Sequence, residues 1–158
     1  MGTRSRIGVM HSNICKSVYC HWDGYLEHNG AILQEHYDSA KANNLVALGD
    51  LSSLKPEIGE KHAFSQFELR AEEIAGYKLL TENMCTFYGR DRGENGVDFK
   101  ADLTFDSFFA RAQGCGAEWY YIMQDGQWYV GNTYESDVKF YKKLVSLTEA
   151  LESVKETA

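Results

Sequence analysis

The sequence predicts a single α+β domain, with a largely antiparallel sheet of about five strands and helices packed on one face. Three observations carry that prediction. Two stretches, one at each end of the chain, alternate apolar and polar residues around a turn, as β-hairpins do. A lone strand-like run, Met84 to Tyr88, sits between helical stretches, and Leu144, Leu147, Leu151 and Val154 recur at helical spacing. The 158 residues, 44% hydrophobic and 13% aromatic, suffice for one core, and no break in composition divides 1–158 into parts.

Each element has its own local reason. Arg6 to Met10 and Lys16 to Trp22 read as strands joined by the polar turn at His11-Ser12-Asn13. In the second, Val18, Cys20 and Trp22 share one face while Tyr19, His21 and Asp23 share the other. Gly24 ends the strand, and Leu26, Leu33 and Tyr37 then fall on one side of a helix. A second helix starts with Asp38 or Ser39 as cap, runs through Leu45 and Leu48, and ends at Gly49. Asp50 to Gly59 reads as a connector, Phe67 to Leu80 as a helix, and Gly89 to Gly96 as a charged loop bracketed by glycines. Phe105 to Gln113 is a short helix stopped by Gly114-Cys115-Gly116. Glu118 to Gln124 and Gln127 to Val130 form an aromatic hairpin about Asp125-Gly126, and the closing helix is expected to bury Leu144, Leu147 and Leu151.

The composition excludes several function classes. A net charge of -7 is not that of a general nucleic-acid binder, so non-specific nucleic-acid binding is not expected, although a local basic pocket fits the composition. No run approaches the roughly 18 apolar residues that span a bilayer. Met1-Gly2-Thr3-Arg4-Ser5-Arg6 leads straight into a strand, with Arg6 where a myristoylation signal needs Ser or Thr. A cytoplasmic protein without membrane contact is expected. Cys15, Cys20, Cys85 and Cys115 show no metal-binding or redox spacing and read as reduced thiols. His28 and His36 are about 12 Å apart along a helix, too far to share one metal. Neither metal nor cofactor is expected, and no phosphate loop or nucleophile elbow is present.

Tyr19-Cys20-His21-Trp22-Asp23-Gly24-Tyr25, His28 to Tyr37, Leu48 to Leu54, Arg90-Asp91-Arg92-Gly93-Glu94 and Glu118-Trp119-Tyr120-Tyr121 together resemble a group of small bacteriophage and prophage proteins. Leu26 and Gly89 stand where that group's pattern has a proline and a histidine, so no ring nitrogen precedes Arg90. The resemblance implies phage ancestry and brings no activity with it. It directs attention to two segments. In the first, His21, Trp22, Asp23 and Tyr25 form either a pocket wall, with His21 and Asp23 side by side, or a core Trp22, a helix-capping Asp23 and a structural His21. In the second, Arg90 and Arg92 either clamp a phosphate, held ready by Asp91 and Glu94, or pair with those acids in a solvated turn.

The functional expectation is a phage-derived accessory protein that counters host antiviral defence in the host cytoplasm. It would sequester a small nucleotide-like signal, with arginines for phosphate and aromatics for base, and with a pocket that a homo-oligomer could complete. An alternative is a protein–protein inhibitor of a host defence protein or nucleic-acid enzyme. A third is a hydrolase or phosphodiesterase using His21 and Asp23, for which no complete catalytic set is visible; a binding protein is expected before an enzyme.

Overall fold

The structure, a computed structural model, describes residues 2–157; Met1, the first residue of the stretch weighed above as a myristoylation start, lies outside them. Ser5 to Val9 are buried without a break, as a strand must be when it is flanked on both edges and covered on both faces. This strand, β1 (Ser5–His11), pairs antiparallel with β2 (Ile14–Cys20) through a turn at Ser12, whose φ is 55°. On its other edge β1 runs parallel to β6 (Trp119–Gln124), which turns through Asp125-Gly126, both at positive φ, into β7 (Gln127–Asn132). Short strands extend the sheet: β3 (Leu51–Ser53) and β4 (Thr86–Phe87) beyond β2, β5 (Lys100–Asp102) also on β2, and β8 (Val145–Ser146) beyond β7.

Both faces are covered. Ile7, Val9, Val18, Cys20, Tyr121 and Met123 point into the larger core. A π-helical turn (Leu26–Gly30), α1 (Ala31–His36), α2 (Ser39–Ala47) and α6 (Leu147–Thr157) close it with Leu26, Leu33, Leu45 and Leu147. Asp38 caps α2 by accepting a hydrogen bond from the Lys41 amide, and Gly49 leaves it at φ 89°. On the opposite face, Cys15, Tyr120 and Ile122 meet Phe108, Phe109 and Ala112 of α5 (Phe105–Gly114).

The α+β class, both hairpins and the closing helix therefore stand as expected, within a sheet larger than the expected five strands and with helices on two faces instead of one. The lone strand expected at Met84 to Tyr88 is β4, and the extra strands β3, β5 and β8 hold only two or three residues each, too few to show an alternating pattern. Leu147 is buried and Leu151 partly so, but Leu144 precedes α6 and is exposed. The segment expected as one helix from Phe67 breaks into 3₁₀ turns at Gln66–Glu68 and Ala71–Glu73 before α3 (Ile74–Thr81), which buries no residue. All four cysteines are free thiols. Among the described residues no helix is long and apolar enough to cross a membrane.

Candidate functional site

The first half of the expected charged loop is a helix. Residues Tyr88–Arg92 form α4, which ends on Gly93 at φ 71°. Within it Asp91 is buried and accepts hydrogen bonds from the amides of Phe87 (2.8 Å) and His62 (3.0 Å) and from Arg90. Arg90 lies over the Phe87 ring and also donates to the carbonyls of Ile58, Gly59 and Cys85. Its fork is spent on the protein's own backbone, which ties the 55–65 segment to β4. Arg92 faces outward, bonded to Glu94 at 2.5 Å and resting on Phe64 and Tyr88. Of the two arginines read as a clamp, one is structural and one is exposed.

The strand-end segment is arranged differently from its alternation pattern. β2 stops at Cys20, and Asp23 turns to φ 56°, so Asp23 and His21 share no hydrogen bond or ion pair among the described residues. The partner of His21 is Tyr19, whose hydroxyl lies 2.6 Å from Nδ1. Burial pushes the Tyr19 hydroxyl up to about 12, so it keeps its proton; burial and then the nearby Arg4 charge push His21 down. His21 Nε2 has no hydrogen-bond partner among the described residues. Trp22 packs edge-on against His21 and is exposed, not core. Asp23 caps no helix by its side chain; Tyr25 occupies the position before the π-helical turn. Asn29 anchors this end instead, its amide donating to Ser5 Oγ and Cys20 Sγ.

Five strand ends meet here, because Ser5 pairs with Cys20 and with Trp119, Cys20 with Leu51, and Trp119 with Asn132. On the α5 face Arg6 stands opposite Tyr19. Beyond the end of α5 this part of the sheet is open, leaving a hollow of about 510 Å³ lined by Arg6, Tyr19, Asp50, Lys100, Arg111 and Cys115. A second hollow, about 540 Å³, is lined by Arg4, His21, Trp22, Gly116, Glu118 and Tyr134. The two adjoin where Tyr19 bonds His21 and where Cys115 precedes Gly116.

Arg6 is 3% exposed, an uncommon place for a guanidinium. Its Nε donates to Ser17 Oγ (2.8 Å) and Nη2 to Ser17 O (3.1 Å), while Nη1 has only the Cys115 sulfur at 4.0 Å. Arg111 is gripped through Nε and Nη2 by Asp102, and its Nη1 has no hydrogen-bond partner among the described residues. Burial raises the Asp102 carboxyl, but hydrogen bonds from Arg111 and Ser107 outweigh it and leave Asp102 below the usual carboxylate range. Asp50 is raised, chiefly by burial, against the hydrogen bond it accepts from the Tyr19 amide. Arg4 and Lys100 are exposed and form no side-chain hydrogen bond or ion pair among the described residues. Cations thus outnumber carboxylates along these hollows, on a chain whose net charge is -7.

The structure gathers His21 and Trp22 at this site and leaves Asp23, Tyr25, Arg90, Asp91, Arg92 and Glu94 off the lining of both hollows. Arg4, Arg6, Lys100, Arg111 and Tyr134 escaped the sequence reading. The signal available was Arg6 itself, a charge heading the apolar run Ile7-Gly8-Val9-Met10, with Arg4 two residues before it and so of the same alternation. A larger hollow, about 650 Å³, lies between α1 and the β6–β7 turn, but Glu35, Asp38 and Glu149 line it, and no cluster fit for a metal occurs among the described residues. Compared with known proteins, the chain matches no family model, no curated protein and no solved structure.

Proposed function

We propose that this protein binds a small phosphate-bearing, nucleotide-like ligand at the joined hollows, with Arg4, Arg6, Lys100 and Arg111 for phosphate and Trp22 and Tyr134 for the base. The observation that carries the proposal is Arg6. A buried guanidinium whose Nη1 has only a long contact to the Cys115 sulfur, beside an open cationic hollow, gains from an anion that completes its bonding. Trp22 and Tyr134 are 44% and 51% exposed and line one hollow, as stacking platforms for a base would. Taken with the phage-like motifs, this supports a counter-defence protein that sequesters a nucleotide signal in the host cell. The hydroxyl paired with the His21 imidazole is that of Tyr19, which burial keeps protonated, and this favours holding a ligand over cleaving it.

Protein recovered from infected, defended bacteria and then heat-denatured should release an intact nucleotide detectable by mass spectrometry. Release of nothing from active protein, or of a cleaved product, overturns the proposal. His21 adds a pH signature. A bound phosphate favours the imidazolium, so ligand binding should take up protons and tighten as pH falls through the His21 range; calorimetry in buffers of different ionisation enthalpy checks this.

A second reading, inhibition of a host protein, is favoured by one observation: Phe67, Leu79 and Leu80 are 89%, 77% and 58% exposed on the segment around α3. Leu79→Glu with Leu80→Glu abolishes counter-defence activity under that reading and spares it under the nucleotide reading.

A further inference from the structure

The second hollow opens past Glu118 and Tyr134 into a third, about 370 Å³, whose lining includes both of those residues with Asn132, Asp137 and Lys139. Asn132 is 0% exposed, and its Nδ2 is a buried side-chain polar atom without a hydrogen-bond partner. The orientation of its amide is settled by the Tyr134 N–H, which donates to Oδ1 at 2.7 Å, so the orphaned group is the N–H₂ donor. A buried donor left unpaired costs about 1–3 kcal/mol, a cost that an acceptor reaching it from the third hollow would remove. Glu118, which lines both hollows, offers the complement: its carboxylate accepts no hydrogen bond and forms no ion pair among the described residues. The backbone brings the two residues near each other, since Asn132 pairs with Trp119, the neighbour of Glu118, and the Thr133 amide donates to Glu118 O.

A ligand filling this place must present an acceptor to Asn132 and donors to Glu118. Among the bases, a keto oxygen beside ring N–H is the lactam edge, and guanine alone adds a second N–H that lets a carboxylate accept twice. Adenine turns a ring-nitrogen lone pair toward the carboxylate. Resting on the nucleotide-binding reading above, we infer that the base is guanine, read by Glu118 and Asn132, with its phosphate at Arg4 and Arg6.

Calorimetric titration of the full chain with GMP, IMP, AMP and inorganic pyrophosphate tests this without any variant. GMP should bind at least ~tenfold more tightly than AMP, the scale of a lost charge-assisted hydrogen bond, with IMP between them. Glu118→Gln should erase the preference for GMP over IMP while pyrophosphate still binds, at least as tightly as before because a negative charge has left the hollow. Equal affinity for GMP and AMP, with pyrophosphate still bound, overturns guanine recognition and leaves the phosphate site standing; a full GMP preference in folded Glu118→Gln overturns it as well. Failure of pyrophosphate and all three nucleotides to bind overturns both readings.

Discussion

Arg90 and Arg92 are separated by one residue and play opposite parts, which stability measurements can resolve. Arg90→Ala strands the buried Asp91 and frees three carbonyls, so urea denaturation should show a loss of about 3 kcal/mol. Arg92→Ala removes an exposed pair and should cost only a few tenths of a kcal/mol. Their sequence context, Arg-Asp-Arg-Gly-Glu, is the same for both; only the helical turn of α4 turns one inward, so no reading of composition separates them. Asp50 gives a pH-dependent case. Its folded-state proton affinity is raised by burial, so its contribution to stability is present below the ordinary carboxylate range and is lost as pH rises through the raised value. Asp50→Asn, which keeps an acceptor for the Tyr19 amide, should therefore stabilise the protein at neutral pH and not at acid pH. It should also tighten pyrophosphate binding, because it removes a negative charge from the hollow.

Among the elements, the hairpins were legible because each strand is long enough to alternate and each turn carries residues that tolerate positive φ. Pairing between them was not: the parallel contact of β1 with β6 joins residues more than a hundred positions apart, and nothing local encodes it. The junction of β7 with β8 adds a constraint that only packing reveals. At Gly131 the Tyr120 hydroxyl passes over the backbone to donate to Lys143 O at 2.6 Å, and a Cβ there would lie 2.1 Å from both oxygens. Gly131→Ala should accordingly cost about 1–3 kcal/mol in chemical denaturation, or more if the strand must move. The opposite holds on α3, whose side chains are not buried. Leu79→Glu with Leu80→Glu should leave stability within about 0.5 kcal/mol, and amides of α3 should exchange faster than those of β1 and β6.

Taken as a whole, the molecule carries net negative charge yet concentrates cations at one end of its sheet, where five strand termini converge and α5 falls short. That end was half visible in the sequence: His21 and Trp22 marked it, while the arginine loop pointed elsewhere. The missing half comes from β1, β5 and α5, brought together only by the fold, so a motif search along the chain meets its cations one at a time. Nuclear magnetic resonance titration of ¹⁵N-labelled protein with inorganic pyrophosphate tests the location of the anion site most directly. Amide shifts should concentrate at Arg4, Arg6, Tyr19, Lys100 and Gly114 to Gly116, with Gly89 to Glu94 unmoved. Shifts confined to Gly89 to Glu94, or none at saturating pyrophosphate, would contradict it.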